Sequence, residues 1–331
     1  MNFAAALSAV PEIDGPDVDR DLLGRLESIG AGFGNRALRA AAPSFRAYAA
    51  EDFPCLGAAA FPAFSITGAA CALGCAHCGG RILAPMRAVT RPEALEIELE
   101  RMLAGGRLRG FLLSGGSDRR NQVRFEPFLP VLARLKRDHP AIEVAVHTGL
   151  VDARRAEALA AAGVDAAMMD VIGDADTIRE VYRLDRPVAD FADSLRHLVA
   201  AGLRVVPHVV VGLHFGRLRG EVAALRIIAQ EATAAAILVV LMPHLAEPGR
   251  FVAPDPRAVG ELFGWARSIL RDRMLLLGCA RPPGRPRALL DLYALAAGFD
   301  GIAHPAQGVL TVARGIGRAV APTPACCAMA A

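Results

Sequence analysis

Short, β-rich apolar runs alternate with longer amphipathic stretches from residue 61 onward. Eight runs have strand character; they span residues 64–67, 110–114, 142–147, 166–172, 204–212, 236–242, 274–279 and 301–304. Apolar residues at helical spacing lie between them, at 92–103, 125–137, 153–162, 188–201, 220–233, 256–270 and 287–297. This alternation over about 250 residues predicts an α/β fold, a (β/α)8 TIM-type barrel, with a doubly wound parallel sheet as the alternative.

The residues on either side of the predicted barrel do not continue its alternation of strands and helices. Residues 1–60 predict an N-terminal helical extension, with helices over 17–29 and 35–51. The barrel takes residues 61–318. Residues 319–331 form a short tail that contains cysteine, and we expect this tail to close on the barrel by folding back across its mouth.

Composition and charge distribution argue against a disordered, nucleic-acid-binding or membrane-spanning protein. Apolar residues make up 53% of the 331-residue chain and charged residues 21%, which excludes a disordered chain. The arginines are scattered among acids, so no nucleic-acid surface is predicted. The apolar runs at 205–213 and 234–242 are too short to span a membrane. The first apolar stretch lacks a basic start, and we expect a cytoplasmic protein. Seven cysteines in such a compartment indicate metal binding or catalysis.

Three of those cysteines are closely spaced directly after the first predicted strand. Cys71, Cys75 and Cys78 are followed at once by two glycines. A structural zinc site normally uses four ligands, and His77 is awkwardly placed as a fourth donor beside Cys78. Three thiolates suit a four-iron cluster in which one iron keeps an open coordination position.

This cysteine motif, in this place, resembles the signature of the radical S-adenosylmethionine (SAM) superfamily, and the resemblance covers about residues 61–318. It implies that Cys71, Cys75 and Cys78 hold a 4Fe-4S cluster chelated by SAM. One electron from the cluster then cleaves SAM to methionine and a 5'-deoxyadenosyl radical. His77 stands where the family often has an aromatic ring near the adenine.

Other strand ends extend the resemblance to cofactor binding. The run Ser114-Gly115-Gly116-Ser117-Asp118 is similar to the family's glycine-glycine-acid element, which meets the methionine amino group. It has Ser117 where an acid is usual, so either Ser117 or Asp118 makes this contact. The strand that ends at Gly212 resembles the one that passes the adenine, and Asp170 lies where ribose or substrate contacts are common. We also assign His147, at another strand end, to cofactor binding.

The four remaining cysteines are Cys55, Cys279, Cys326 and Cys327. They are either small buried hydrophobic residues or, if the tail brings them together, ligands of a second iron-sulfur cluster. Cys279 follows a predicted strand and lies near Arg281, and we assign both to catalysis.

Two clusters in a full barrel point to sulfur insertion, as in biotin synthase and lipoyl synthase. The runs CALGCAHCGGRIL, SGGSD, HTGLVD, MDVIGDADTIREVY, VVPHVVVGLH and LGCARPPG resemble the two-component lipoyl synthases. That resemblance implies an octanoyl chain on a lipoyl-carrier protein as substrate, a second cluster sacrificed as the sulfur source, a paralogous radical SAM partner, and ferredoxin or flavodoxin as electron donor. The alternatives are a single-cluster radical enzyme of the biotin synthase type, such as another sulfur-inserting enzyme, an isomerase or a maturase, and a non-catalytic scaffold that binds structural metal.

Overall fold

The computed structural model describes residues 2–43, 48–53 and 61–330. Twelve strands lie in these ranges: β1 (Leu38–Ala41), β2 (Ala63–Ser65), β3 (Arg87–Ala88), β4 (Gly110–Ser114), β5 (Glu143–His147), β6 (Ala166–Met168), β7 (Arg204–Val205), β8 (His208–Val211), β9 (Ala235–Val240), β10 (Met274–Leu277), β11 (Gly301–Ala303) and β12 (Val320–Thr323). All eight predicted strand runs overlap one or two of these strands.

Eleven α-helices lie in the same ranges: α1 (Phe3–Ser8), α2 (Arg20–Gly30), α3 (Pro92–Ala104), α4 (Leu129–Asp138), α5 (Ala153–Ala161), α6 (Ala175–Glu180), α7 (Val188–Ala200), α8 (Glu221–Ala229), α9 (Pro256–Ile269), α10 (Arg285–Ala296) and α11 (Val309–Gly315). The seven helices predicted between strands are all present. Several begin at a side-chain cap; the Asp19 carboxylate, for example, accepts the Leu22 N–H at the start of α2.

The strands form two six-stranded sheets in which every ladder is parallel. Their orders are β3-β2-β4-β5-β6-β7 and β12-β1-β11-β10-β9-β8. The two sheets meet where β7 continues into β8, and a bridge between Asp170 and His208 ties them together. Ladders between described residues do not join β12 to β3, so the parallel α/β array is confirmed and a closed eight-stranded barrel is not.

Two layers of apolar packing support a barrel-like shape. The larger core lies between the strands and the surrounding helices. A second cluster joins residues from both sheets with the segment Cys326–Met329. One face of each sheet therefore packs on the helices, while the other faces a shared interior that this segment enters.

Three expectations need correction. Residues 38–41 of the predicted helix 35–51 form β1, which pairs with β11 on one side and β12 on the other, so tertiary pairing overrides an alanine-rich helical pattern. The predicted run 204–212 is split at Pro207, which has no N–H to donate to a ladder. The tail reaches the interior of the strand array rather than crossing over its mouth.

The extension and tail are thus parts of one array, because β1 and β12 lie side by side. Helices α1 and α2 pack outside it, on α11 and on α9 and α10 respectively. No helix of the described residues is long and apolar enough to cross a membrane.

Candidate active site

A cavity of about 290 Å³ opens at the carboxyl ends of the strands. Apolar side chains form most of its wall, including Leu112, Val210, Val239 and Leu241, and polar groups gather on one side. Six of the seven cysteines line it: Cys71, Cys75, Cys78, Cys279, Cys326 and Cys327. Cys55, predicted as a ligand of a second cluster, lies outside the described residues. Parallel strands place their chemistry at this end of an array.

The cysteine loop, residues 71–78, is fixed by backbone hydrogen bonds to three neighbouring loops. The Leu73 N–H donates to the Ser117 carbonyl at 3.0 Å, and the Ala76 N–H donates to the Val181 carbonyl at 2.8 Å. The Ala76 carbonyl accepts the Glu247 N–H at 2.9 Å. These contacts fix the backbone that carries the three thiols.

Two glycines let the chain pass close to Cys71. Gly80 has a φ of 79°, a left-handed conformation that favours glycine, and a Cβ there would lie 3.2 Å from the Cys71 Cβ. A Cβ on Gly116 would lie 2.0 Å from the Ala70 carbonyl oxygen and 2.6 Å from the Cys71 Cα. The run Gly115-Gly116 therefore has two roles: it lines the cavity, and Gly116 lets the cysteine loop pack closely against it.

Burial and neighbouring thiols raise the pKa of two of these cysteines, Cys75 and Cys78. Burial raises the pKa of Cys78 to about 11, and the neighbouring Cys71 adds to the rise. Burial, Cys78 and Cys71 together raise the pKa of Cys75 well above its usual value. The thiols of Cys75 and Cys78 therefore hold their protons at neutral pH, and iron that binds them would displace those protons.

Of the two residues predicted to meet the methionine amino group, Ser117 lines the cavity and Asp118 does not. Ser114, Gly115, Gly116 and Ser117 line the cavity, as predicted for cofactor binding. The Asp118 carboxylate instead accepts the backbone N–H groups of Arg120 and Gln122 and pairs with Arg124. Asp118 is not part of the cavity wall, so of the two candidates Ser117 is the one placed to meet a ligand.

A network of aromatic and charged side chains forms the polar side of the cavity. The Tyr182 hydroxyl donates to Asp170 at 2.7 Å, and the Tyr182 ring stacks on His77 with centroids 5.1 Å apart. His147 Nε2 lies 3.7 Å from the Asp170 carboxylate. The His208 ring meets the His147 ring edge-on at 5.3 Å. The predicted residues His77, His147 and Asp170 therefore come together.

The environment shifts the charge states of this network in opposite directions. Burial lowers the pKa of His77 and of His208 to about 4. Burial acts to lower the pKa of His147, but the Asp170 carboxylate outweighs it and the pKa rises. Desolvation acts to raise the pKa of Asp170, yet the contact with His147 holds it well below its usual range. A carboxylate accompanied by one readily protonated imidazole thus faces the cavity.

Tyr182 and His208 were not predicted as site residues. His208 follows a proline inside an apolar run, and an imidazole in a buried strand was the available signal. Its Nδ1 is buried and has no hydrogen-bond partner among the described residues, as is also true of the His77 Nδ1. Tyr182 lies beyond α6 in a loop, and no strand pattern marks it.

The C-terminal thiols approach the same cavity from the interior of the array. Cys326 and Cys327 are 7% and 6% exposed. The contact with Cys327 lowers the pKa of Cys326, aided by His147, and the same contact raises the pKa of Cys327, with burial and Cys279 adding to the rise. The prediction that Cys279 and the tail pair come together is consistent with these positions.

Two further predicted residues, Arg281 and Gly212, lie away from the cavity wall. Arg281 is fully buried and donates from Nε to Asp291 at 2.7 Å and to the carbonyls of Gly278 and His304. It joins strand ends instead of facing a ligand, so its assignment to catalysis is not supported. A Cβ on Gly212 would lie 2.3 Å from the Pro254 Cγ, which makes this glycine a packing residue.

The donor set fits the cofactors that the motif implies. Each thiolate of a cluster binds a different iron, which requires separate thiols at one opening. The loop presents three such thiols, beside a glycine strip and an ionised carboxylate that suits the positive sulfonium of SAM. Within the described residues, no three His, Cys, Asp or Glu side chains are arranged to hold a single metal ion.

Comparison with known proteins agrees with this geometry. The Radical SAM superfamily model matches residues 65–216. The fold is similar to that of a methylornithine synthase, with a TM-score of 0.58 at 14% identity over 96% of this chain and 93% of the other. It is also similar to the FeFe-hydrogenase maturase HydG from Carboxydothermus hydrogenoformans, with a TM-score of 0.55 at 15% identity over 92% and 67%. No curated protein matches the sequence. Residues 65–216 therefore form a radical SAM superfamily domain, and the cofactors of that superfamily are a 4Fe-4S cluster and S-adenosylmethionine.

Proposed function

We propose that the protein inserts sulfur into an aliphatic acyl chain, as a component of a lipoyl synthase. The observation that carries the proposal is that Cys279, Cys326 and Cys327 line the same cavity as the cysteine loop. A second iron-sulfur cluster on these thiols, with Cys55 as a further ligand, would be consumed as the sulfur source. Adjacent thiolates rarely bind one iron, so Cys326 and Cys327 would contact different irons, or only one would act as a ligand.

The chain's own residues have distinct tasks in this reaction. Cys71, Cys75 and Cys78 would hold the cluster that supplies the electron for SAM cleavage. The Ser114–Ser117 strip would receive the methionine part of SAM, and His77 would lie near its adenine. The ionised Asp170, held by His147 and Tyr182, would balance positive charge on the same side. The apolar wall excludes water from a reactive radical.

An aliphatic substrate agrees with that wall. The side chains of Leu112, Val210, Val239 and Leu241 offer no hydrogen bonds, so they suit a hydrocarbon chain held by burial. We propose the octanoyl group of a lipoyl-carrier protein as this substrate. A paralogous radical SAM protein as partner and ferredoxin or flavodoxin as electron donor belong to the same proposal.

Anaerobic reconstitution of matched alanine variants tests the proposal. We expect about eight irons in the wild-type chain and about half as many in both Cys78→Ala and Cys327→Ala. Cys78→Ala should lose at least about a thousandfold in the rate of 5'-deoxyadenosine formation, because no cluster remains to reduce SAM. Cys327→Ala should still cleave SAM but form no thiolated product from an octanoyl-lysine peptide. The peptide assay is run with and without the paralogous partner.

The outcomes separate the candidate functions. About four irons in the wild-type chain, unchanged in Cys327→Ala, would contradict the second cluster and favour a single-cluster isomerase or maturase. Zinc without iron would favour the non-catalytic scaffold. 5'-Deoxyadenosine without thiolated product, with the partner present, would overturn sulfur insertion but leave the radical chemistry in place.

A further inference from the structure

Alanines form much of the lining of the interior of the strand array, beside larger side chains such as Ile237 and Leu276. A parallel barrel is normally filled by layers of large branched side chains from its strands. Here the interior cluster draws five alanines from five different strands: Ala41, Ala145, Ala166, Ala235 and Ala303. The strands alone would leave a void, and a void that lacks contacts costs stability.

The segment Cys326–Met329 fills that space. Ala328 is 0% exposed and Met329 is 8% exposed, although both lie close to the end of the described residues. The short helix Cys327–Ala330 packs against β1, β6 and β11, which belong to both sheets. The Arg204 guanidinium lies 3.2 Å from the Met329 Sδ. The segment is therefore an internal plug, surrounded by the strands.

One part of the plug faces the cavity, and the other part points toward the amino ends of the strands. Cys326 and Cys327 line the central cavity, whereas Ala328 and Met329 do not and pack in the interior cluster. Met329 contacts Arg204, which opens β7 at the amino end of the strands. The thiol pair thus forms the floor of the cavity, and Met329 supports this floor from the amino end of the array.

We propose that the plug sets the depth of the cavity and so determines the length of the linear hydrocarbon chain that the protein accepts. The identity of that chain as an acyl group rests on the proposed function, whereas the insertion of the plug does not. A chain that enters from the mouth would run along the apolar wall until it meets Cys326 and Cys327. Longer chains would gain nothing beyond that point.

Insertion is tested by thiol labelling of the metal-free full chain, so that burial and not metal ligation protects the thiols. Iodoacetamide labelling, mapped by peptide, should be slow at Cys326 and Cys327 in the wild type. Ala235→Leu should expel the plug, because a leucine fills the layer as in an ordinary barrel, and should speed labelling at least about tenfold. The matched control is Ala153→Leu, at an exposed position of α5. Fast labelling in the wild type, or equal rates in all three proteins, would overturn insertion.

Depth is tested by binding of Nε-acyl-lysine amides with hexanoyl, octanoyl, decanoyl and dodecanoyl chains to the metal-free full chain, in which no cluster covers the floor. Affinity should rise about fourfold per added methylene and then stop rising when the chain reaches the floor. In Met329→Ala, which keeps every cysteine, the break should move to longer chains. The break should stay in place in Ala153→Leu.

The binding measurement does not depend on turnover. It can therefore contradict the role of the plug without contradicting sulfur insertion, and the reverse. A break that moves in Met329→Ala without any thiolated product would support the plug and contradict sulfur insertion. A break at the same length in all proteins, or no dependence on length, would overturn the role of the plug in setting depth.

Discussion

The two groups of cysteines that line the cavity are held by different forces. The cysteine loop is fixed by backbone hydrogen bonds to the loops of Ser117, Val181 and Glu247. Within the described residues, the backbone hydrogen bonds of the plug, Cys326–Met329, are local, such as that from the Met329 N–H to the Cys326 carbonyl at 2.9 Å. Its side chains are instead buried against the strands.

This difference explains what each group shows in the sequence. A loop built by backbone geometry needs particular residues at fixed spacing, here glycines and cysteines, and the spacing is visible as a motif. A segment held by burial needs only small or apolar residues that fit a space made elsewhere. That space comes from alanines spread over residues 41–303, and no local pattern reveals it.

The largest effect is expected from breaking the loop without touching a cysteine. Gly116→Ala would place a Cβ 2.0 Å from the Ala70 carbonyl oxygen, which forces the backbone around Cys71 to move. We expect loss of the first cluster, measured as about four fewer irons after reconstitution, and loss of SAM cleavage. Gly24→Ala is the control, because a Cβ there meets nothing within 4 Å. Normal iron content in Gly116→Ala would contradict the tight packing of the loop.

A second effect is expected at the buried ion pair of Arg281 and Asp291, close in sequence to Cys279. Arg281→Met would remove the ion-pair partner of the buried Asp291 and is expected to lower the free energy of unfolding by about 3–5 kcal/mol, measured by urea denaturation. The double variant Arg281→Met/Asp291→Leu removes both charges and should recover part of the loss. Weakened SAM binding with unchanged stability in Arg281→Met would instead restore a catalytic role for Arg281.

A smaller effect is expected from His208, through the dependence of stability on pH. His208 has a native pKa of about 4 against an ordinary value of 6.5, so between these values the unfolded chain binds more protons and stability falls as pH falls. Between pH 7 and pH 5 we expect His208 to account for a loss of about 1–2 kcal/mol. His208→Asn should remove this part of the slope in urea melts of the metal-free protein. His139→Asn, at an exposed position, is the control and should keep the full slope.

Much of the fold could be predicted because its signals are local. Each strand between β2 and β11 that carries the site has an apolar run, and each intervening helix has an amphipathic pattern of its own. The strand β1 could not be predicted, since residues 38–41 become extended only by pairing with β11 and β12, more than 250 residues away.

The site divides in the same way. The triad of thiols and the residues Ser114–Ser117 follow from a motif, and the structure places them on one cavity. Arg281 was predicted to be catalytic because it is a cation near a strand-end cysteine. Its ion-pair partner Asp291 lies on α10, and the local sequence around Arg281 does not indicate this pairing. Tyr182 reaches Asp170 only through the fold of its loop.

The placement of the plug has a consequence for the order of synthesis. The strands β2 to β11 leave the ribosome before residues 320–329, yet their interior is complete only when those residues arrive, and β1 gains its second neighbour β12 at the same late moment. A nascent chain that has made its first 310 residues therefore has β11 but lacks both β12 and the plug, which leaves apolar surface of the array uncovered. Protection of this intermediate from aggregation would set the yield of the protein in the cell, independently of the stability of the finished molecule.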